Sequence, residues 1–182
     1  MKHTLVALVE DKPGVLSRVI TLFRRRNFNI ESISVGHTEI EEISRMTLVV
    51  DGAKTQVEQV TKQLYKVINV RKVSDVTEDP TVDRELALIK VAAKAANRSE
   101  IMQIVDVFHG KVLDVAPGSI MIEATGQENK IDSLVNLLRS YGIKEMVRSG
   151  KVSMVRGTIA TRETTGAPVY NNGTGHNGNG KA

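Results

Sequence analysis

The apolar residues of this chain change their spacing in a set order and then repeat that order, which limits the fold more than any single motif does. Leu5 to Val9 is a short apolar run rich in valine and leucine, closed by the turn-forming stretch Asp11, Lys12, Pro13, Gly14; it reads as a buried strand. Val15, Leu16, Val19, Ile20, Leu22 and Phe23 then recur at helical spacing as far as about Arg26, giving one apolar stripe. Arg24, Arg25 and Arg26 put positive charge at the carbonyl end of that helix. Ile30 to His37 predicts a second strand and Ile43 to Val50 a third, in which Met46, Leu48 and Val50 share a face by the two-residue period. Val57, Val60, Leu64 and Val67 mark a helix from Lys54, and Ile68 to Val76 a fourth strand. The order is βαββαβ.

After a polar, proline-containing segment, Thr77 to Asp83, the order begins again with a strand over Leu86 to Val91. A helix opened by Asn97 follows, with Ile101, Ile104, Val105 and Phe108 inward. Lys111 to Ala116 and Ser119 to Thr125 form a hairpin turned by Pro117 and Gly118. Ile131, Leu134, Val135 and Leu138 mark the last helix, and Ile143 to Val155 holds the last strand. The predicted class is α+β, with two tandem ferredoxin-like βαββαβ domains over residues 1–76 and 84–157. From Thr158 the apolar period is lost, which predicts a flexible tail over residues 158–182. Gly173, Gly175 and Gly178 spell GxGxxG there, without the flanking strand and helix that a dinucleotide loop requires.

Composition narrows the chemistry. The longest apolar run is far short of the roughly 18 residues that span a bilayer, and no separate leader pattern precedes it, so the expectation is a cytoplasmic protein without membrane contact. With no cysteine, there are no disulfides, thiolate nucleophiles or cysteine-ligated zinc. His3, His37, His109 and His176 are scattered, none at ligand spacing from another. The paired carboxylates Glu10 with Asp11, and Glu39 with Glu41 and Glu42, fall in polar loops rather than in a catalytic dyad. No nucleophile with its base and no metal cluster is visible, so the chain reads as non-catalytic, without a cofactor or metal of its own. The acylphosphatases that share this topology use a glycine-rich first loop and an arginine, which are missing here. RNA-recognition modules share it too, and a net charge of +4 agrees with them. Their third strand carries aromatic stacking residues, whereas Ile43 to Val50 has none, which argues against nucleic acid.

The remaining feature is the loop from Glu10 to Gly14. Pro13 fixes a turn value of φ, Gly14 lets another group approach the backbone, and the first helical turn offers N–H groups of Gly14, Val15 and Leu16 to a small carboxylate. The same residues also suit a plain strand-to-helix turn.

Asp11, Lys12, Pro13, Gly14, Val15, Leu16 resembles the DxPGxL opening of ACT domains. With Ser17, Arg18 and Val19, then Asn29, Ile30, Glu31, Ser32, then Ser44, Arg45, Met46, Thr47, the resemblance is to the acetolactate synthase small subunits. Phe108, Gly110, Lys111, Val112, Asp114 and Arg148, Ser149, Gly150 extend it to about Gly157. The resemblance implies a regulatory chain that pairs with a large catalytic subunit holding thiamine diphosphate, magnesium and FAD. It implies activation of that subunit and feedback inhibition by valine or a related branched-chain amino acid. It places the effector at Asp11, Pro13, Gly14, Val15 and Leu16, with Gly36 nearby and Asn29 and Ile30 contributed by the second chain of a homodimer. Asp11 departs from the neutral asparagine of many members. In the second unit, Ala92 to Asn97 has neither proline nor glycine, so effector binding is assigned to the first unit and catalytic-subunit contact mainly to the second. A stand-alone ACT sensor of another pathway would share the first unit but not the second, and an RNA-binding module only the topology and charge.

Overall fold

The computed structural model describes residues 1–157; the expectations for the tail and its glycines lie outside the described residues. The first unit is β1 (Lys2–Glu10), α1 (Val15–Arg25), β2 (Ile30–His37), β3 (Ile43–Asp51), α2 (Lys54–Leu64) and β4 (Val70–Asp75). Its antiparallel sheet has the order β2-β3-β1-β4. The second unit is β5 (Thr81–Ala92), α3 (Arg98–Val107), β6 (Lys111–Ala116), β7 (Ser119–Gly126), α4 (Glu128–Leu138), β8 (Ile143–Arg148) and β9 (Val152–Val155). Its sheet has the order β6-β7-β5-β8, with β9 on the first part of β5. This is the α+β, twice-repeated ferredoxin-like architecture. Among the described residues no helix is long and apolar enough to cross a membrane.

Each unit has its own core. In the first, Leu5, Ala7 and Val9 of β1 and Met46, Leu48 and Val50 of β3 meet Val15, Val19 and Phe23 of α1 and Val57, Val60 and Leu64 of α2. Phe28 closes the edge, its ring perpendicular to that of Phe23 at 6.4 Å. In the second, Ala87, Ile89, Val91, Ile120 and Ile122 of the sheet meet Ile101, Val105, Ile131 and Leu138 of the helices. Alternation along the strands and the 3.6-residue period along the helices aim these sets at each other.

Several elements differ from the sequence reading. The α1 stripe is narrower: Leu16 and Ile20 are 41% and 43% exposed. The fourth strand starts at Val70, because Asn69 takes φ +77° and turns Ile68 outward. Residues 81–83, read as part of a polar link, begin β5 and pair with β9 in the register Thr81↔Val155 to Arg84↔Val152. The expected single strand over Ile143 to Val155 is cut at Ser149–Gly150–Lys151, where Gly150 has φ +79°.

The face of the first sheet turned away from its helices is covered from within the chain. Val6, Leu8 and Val49 on that face are already buried within one chain, and its C-terminal segment lies across it. Arg45 Nη2 donates to Ser153 O at 2.8 Å and Lys151 Nζ to Thr4 Oγ1 at 3.0 Å. The corresponding face of the second sheet stays open, with Leu86 and Val147 exposed. Arg148 closes the edge nearest the first unit with a two-pronged bond to Glu85 (2.5 and 2.6 Å) and one to Asp132 of α4 (2.7 Å); these bonds raise its pKa further. A cation and buried carboxylate in this fork geometry hold better than a monodentate pair.

Candidate effector site

The loop between β1 and α1 is fixed from both sides. Glu10 N–H donates to Asn69 O (2.8 Å), Asp11 N–H to Glu42 O (2.7 Å), and Lys12 N–H back to Glu10 O (2.9 Å). The Glu10 carboxylate, 12% exposed, accepts from Lys12 Nζ at 2.8 Å and from Asn69 Nδ2 at 2.6 Å, and pairs with Arg71. Its pKa is thereby lowered to about 2, by the Lys12 bond first, then the Asn69 bond, then the Arg71 charge. Asn69 Oδ1 in turn accepts from Arg18 Nη1 of α1 at 2.7 Å. The sequence reading missed this network, since its members are brought together only by the fold.

Gly14 stands at the start of α1 with φ +84°, and a Cβ added there would meet no heavy atom within 4 Å. The left-handed value calls for glycine, and the space in front of it is open. Val15 N–H is already taken by Lys12 O at 3.3 Å, which corrects the expectation of three free donors. Gly14 and Leu16 N–H find no acceptor among the described residues. The Val15 side chain is core, so it shapes the turn and does not line the space. Leu16 and Ile20 border an open groove of about 450 Å³ that continues from Gly14 along α1.

Asp11 reaches across to the end of β2, where its Oδ2 is 3.3 Å from His37 Nδ1. Gly36, next to His37, likewise has nothing within 4 Å of a built Cβ. Thus Asp11, Pro13, Gly14, Leu16 and Gly36 lie toward one end of the first sheet, together with His37, which sequence reasoning did not select, but Gly36 and His37 line a separate cavity on the face away from the helices. The position of His37 beside Gly36 was the available signal. Asn29 and Ile30 are at the other end. Ile30 pairs with Val50, which faces His3, whereas His37 pairs with Ser44 beside Glu10. Seven residues of strand, about 23 Å, separate them along β2.

In the second unit the corresponding loop is held against the β6–β7 turn. Ala93 N–H donates to Gly118 O at 3.2 Å, Lys144 Nζ to the same oxygen at 3.0 Å, and Arg98 Nη2 to Ala116 O at 3.1 Å. The Ala93–Gly118 bond is the counterpart of Asp11 to Glu42 in the first unit; the Lys144 and Arg98 bonds to this turn are added in the second.

Residues 5–72 match the family model described as an AHAS small subunit-like ACT domain, and residues 84–157 the one for the small subunit of acetolactate synthase. A probable acetolactate synthase small subunit of Archaeoglobus fulgidus is 54% identical over 157 residues, 86% of this chain and 98% of that one. The chain belongs to the acetolactate synthase small-subunit family. The small subunit of Mycobacterium bovis is 52% identical over 155 residues, 85% of this chain and 92% of its own length. The crystal structure of the Thermotoga maritima acetolactate synthase small subunit superposes with a TM-score of 0.81 at 40% identity, covering 87% of this chain and 99% of that one. The small-subunit family assignment thus spans both units, and the open loop at Gly14 lies in its ACT domain.

Proposed function

We propose that this chain, as a small subunit, is a non-catalytic cytoplasmic regulator. It binds a large catalytic subunit that holds thiamine diphosphate, magnesium and FAD, raises its activity, and transmits feedback inhibition by valine or a related branched-chain amino acid. The observation that carries the effector site is Gly14: a left-handed helix start with free N–H groups at Gly14 and Leu16, facing open space. Such a start receives a carboxylate, the Leu16–Ile20 groove suits a short aliphatic side chain, and Asp11 is within reach of an ammonium group. A homodimer completes the site. β2 is an edge strand, and two-fold antiparallel pairing of two copies through it exchanges the strand ends, bringing Asn29 and Ile30 of one chain to the Gly36 end of the other.

The test is reconstitution. The purified chain forms no acetolactate from pyruvate, and adding it to its catalytic subunit raises turnover. Valine then lowers the rate of the parent complex. With Gly14→Asp the added carboxylate repels the ligand's own and fills its space, so inhibition is lost while activation persists. An unchanged valine titration curve for Gly14→Asp sinks the site.

A further inference from the structure

The turn Ser149–Gly150–Lys151 connects two strands of the second unit, yet its polar groups are met by the first. Ser34 Oγ of β2 donates to Ser149 O at 2.9 Å, and the Lys151 N–H donates to Ser32 Oγ at 2.9 Å. A Cβ built on Gly150 would stand 2.8 Å from Ser32 Oγ and 3.1 Å from both Ile33 O and Ser34 Oγ. With φ at +79° as well, only glycine lets the turn lie this close to β2. The far side of the turn is fixed to β5: Ser149 N–H donates to Leu86 O at 3.0 Å, and Leu86 N–H to Ser149 Oγ at 3.1 Å. Lys151 Nζ adds a bridge, 3.0 Å from Thr4 Oγ1 on β1 and 3.0 Å from Asp83 Oδ2 on β5.

The place of the contact on β2 gives it a meaning. Register puts Ser32, Ser34 and Gly36 opposite Val49, Thr47 and Arg45, on the face away from the helices. The two serines therefore lie between Ile30 at one end and Gly36 at the other, the two stretches of β2 assigned to the effector. Ordering either end of the strand moves the hydroxyls that seat the turn. The seat is made by side-chain hydroxyls and not by a backbone ladder, so it can open without breaking either sheet.

We infer that this turn, with Gly150 at its centre, is the joint that passes effector occupancy from β2 to the second domain. The inference rests on the effector reading above. An effector acts only by favouring one arrangement over another, and a close-packed contact that is either seated or lifted supplies two discrete arrangements.

Two variants of the full chain, reconstituted with its catalytic subunit, test the joint. Ser32→Ala/Ser34→Ala removes both hydrogen bonds and adds no bulk, and Gly150→Ala adds a methyl where there is no room. In both, activation without valine stays within about twofold of the parent, while maximal inhibition at saturating valine falls to under about one third of it. Hydrogen exchange at the Lys151 amide of the double-serine variant becomes roughly tenfold faster or more and no longer responds to valine. Calorimetric binding of valine persists. If both variants bind valine and are inhibited as fully as the parent, the joint is wrong and the effector reading stands. Loss of valine binding in the double-serine variant also overturns it, since the serines would then belong to the site. If the parent takes up none of valine, leucine or isoleucine in the calorimeter, the effector reading fails and the joint with it.

Discussion

Glu10 illustrates how one residue can serve the site without touching a ligand. Its carboxylate is held by Lys12, Asn69 and Arg71 at the base of the Gly14 loop, and its pKa falls from 4.5 to about 2. A carboxyl whose pKa is depressed in the folded state contributes stability that is fully present above the ordinary value and is lost as pH falls toward the folded one. The Glu10→Gln variant keeps the shape and lacks the charge. It is therefore expected to melt below the parent near neutral pH, with a gap that closes as pH is lowered through the range from 4.5 to about 2. Thermal unfolding of both chains across that range is the check, and a gap that stays constant would show that the Glu10 charge contributes nothing. By contrast, the carboxylate of the neighbouring Asp11 is half exposed and pairs with His37, so one side of it can face a ligand.

Arg148 belongs to the scale of elements, because it joins β8, β5 and α4 through Glu85 and Asp132. Arg148→Ala leaves the buried Glu85 carboxylate without its partner. The expected cost is about 2–3 kcal/mol, below the range for fully buried pairs because the Arg148 side chain reaches water. Chemical denaturation should recover much of that loss in the double variant Arg148→Ala/Glu85→Gln, which no longer buries a charge; equal losses in both would refute the account. Elements were legible in the sequence where apolar period decided them, as for β1, whose Leu5, Ala7 and Val9 reach the first core, and for α4, whose Ile131, Leu134, Val135 and Leu138 are all buried. They were not legible where pairing decided. Thr81 to Arg84 carries a single apolar residue and is strand because β9 lies beside it. In β2 a register shift between Ile30 and Ser32 puts Ile30 and Ile33, three apart, against the same core, so the two-residue period fails at the very strand that carries Ser32 and Ser34. The loop at Gly14 was readable from Pro13 and Gly14 because its conformation is local. The seat of Gly150 was not, since its partners lie more than a hundred residues away.

At the scale of the molecule, two separate cores are held together by the C-terminal segment, and truncation separates its parts. The last described contacts are Arg156 N–H to Pro80 O at 2.7 Å and Arg156 Nε to Thr81 O at 3.1 Å. The Archaeoglobus fulgidus relative matches over 157 residues that make up 98% of its length, and the small-subunit family match of the second unit ends at residue 157. A chain ending at Gly157 is expected to keep its Tm within about 2 °C of the full-length protein, the change of a surface substitution, and to activate the catalytic subunit as fully. A chain ending at Lys151 loses β9, its pairing with Thr81 to Arg84, and the Ser153 carbonyl that Arg45 binds across the first sheet. It also removes the part of the C-terminal segment that lies across the face carrying Val6, Leu8 and Val49. Differential scanning calorimetry should then show a lower Tm, with the transition of the first unit separating from that of the second as the contacts between them are lost. A chain ending at Lys151 that melts in one transition at the parent Tm would mean that the segment does not hold the units together. A chain ending at Gly157 that melts well below the parent would mean that residues 158–182 take part in the fold.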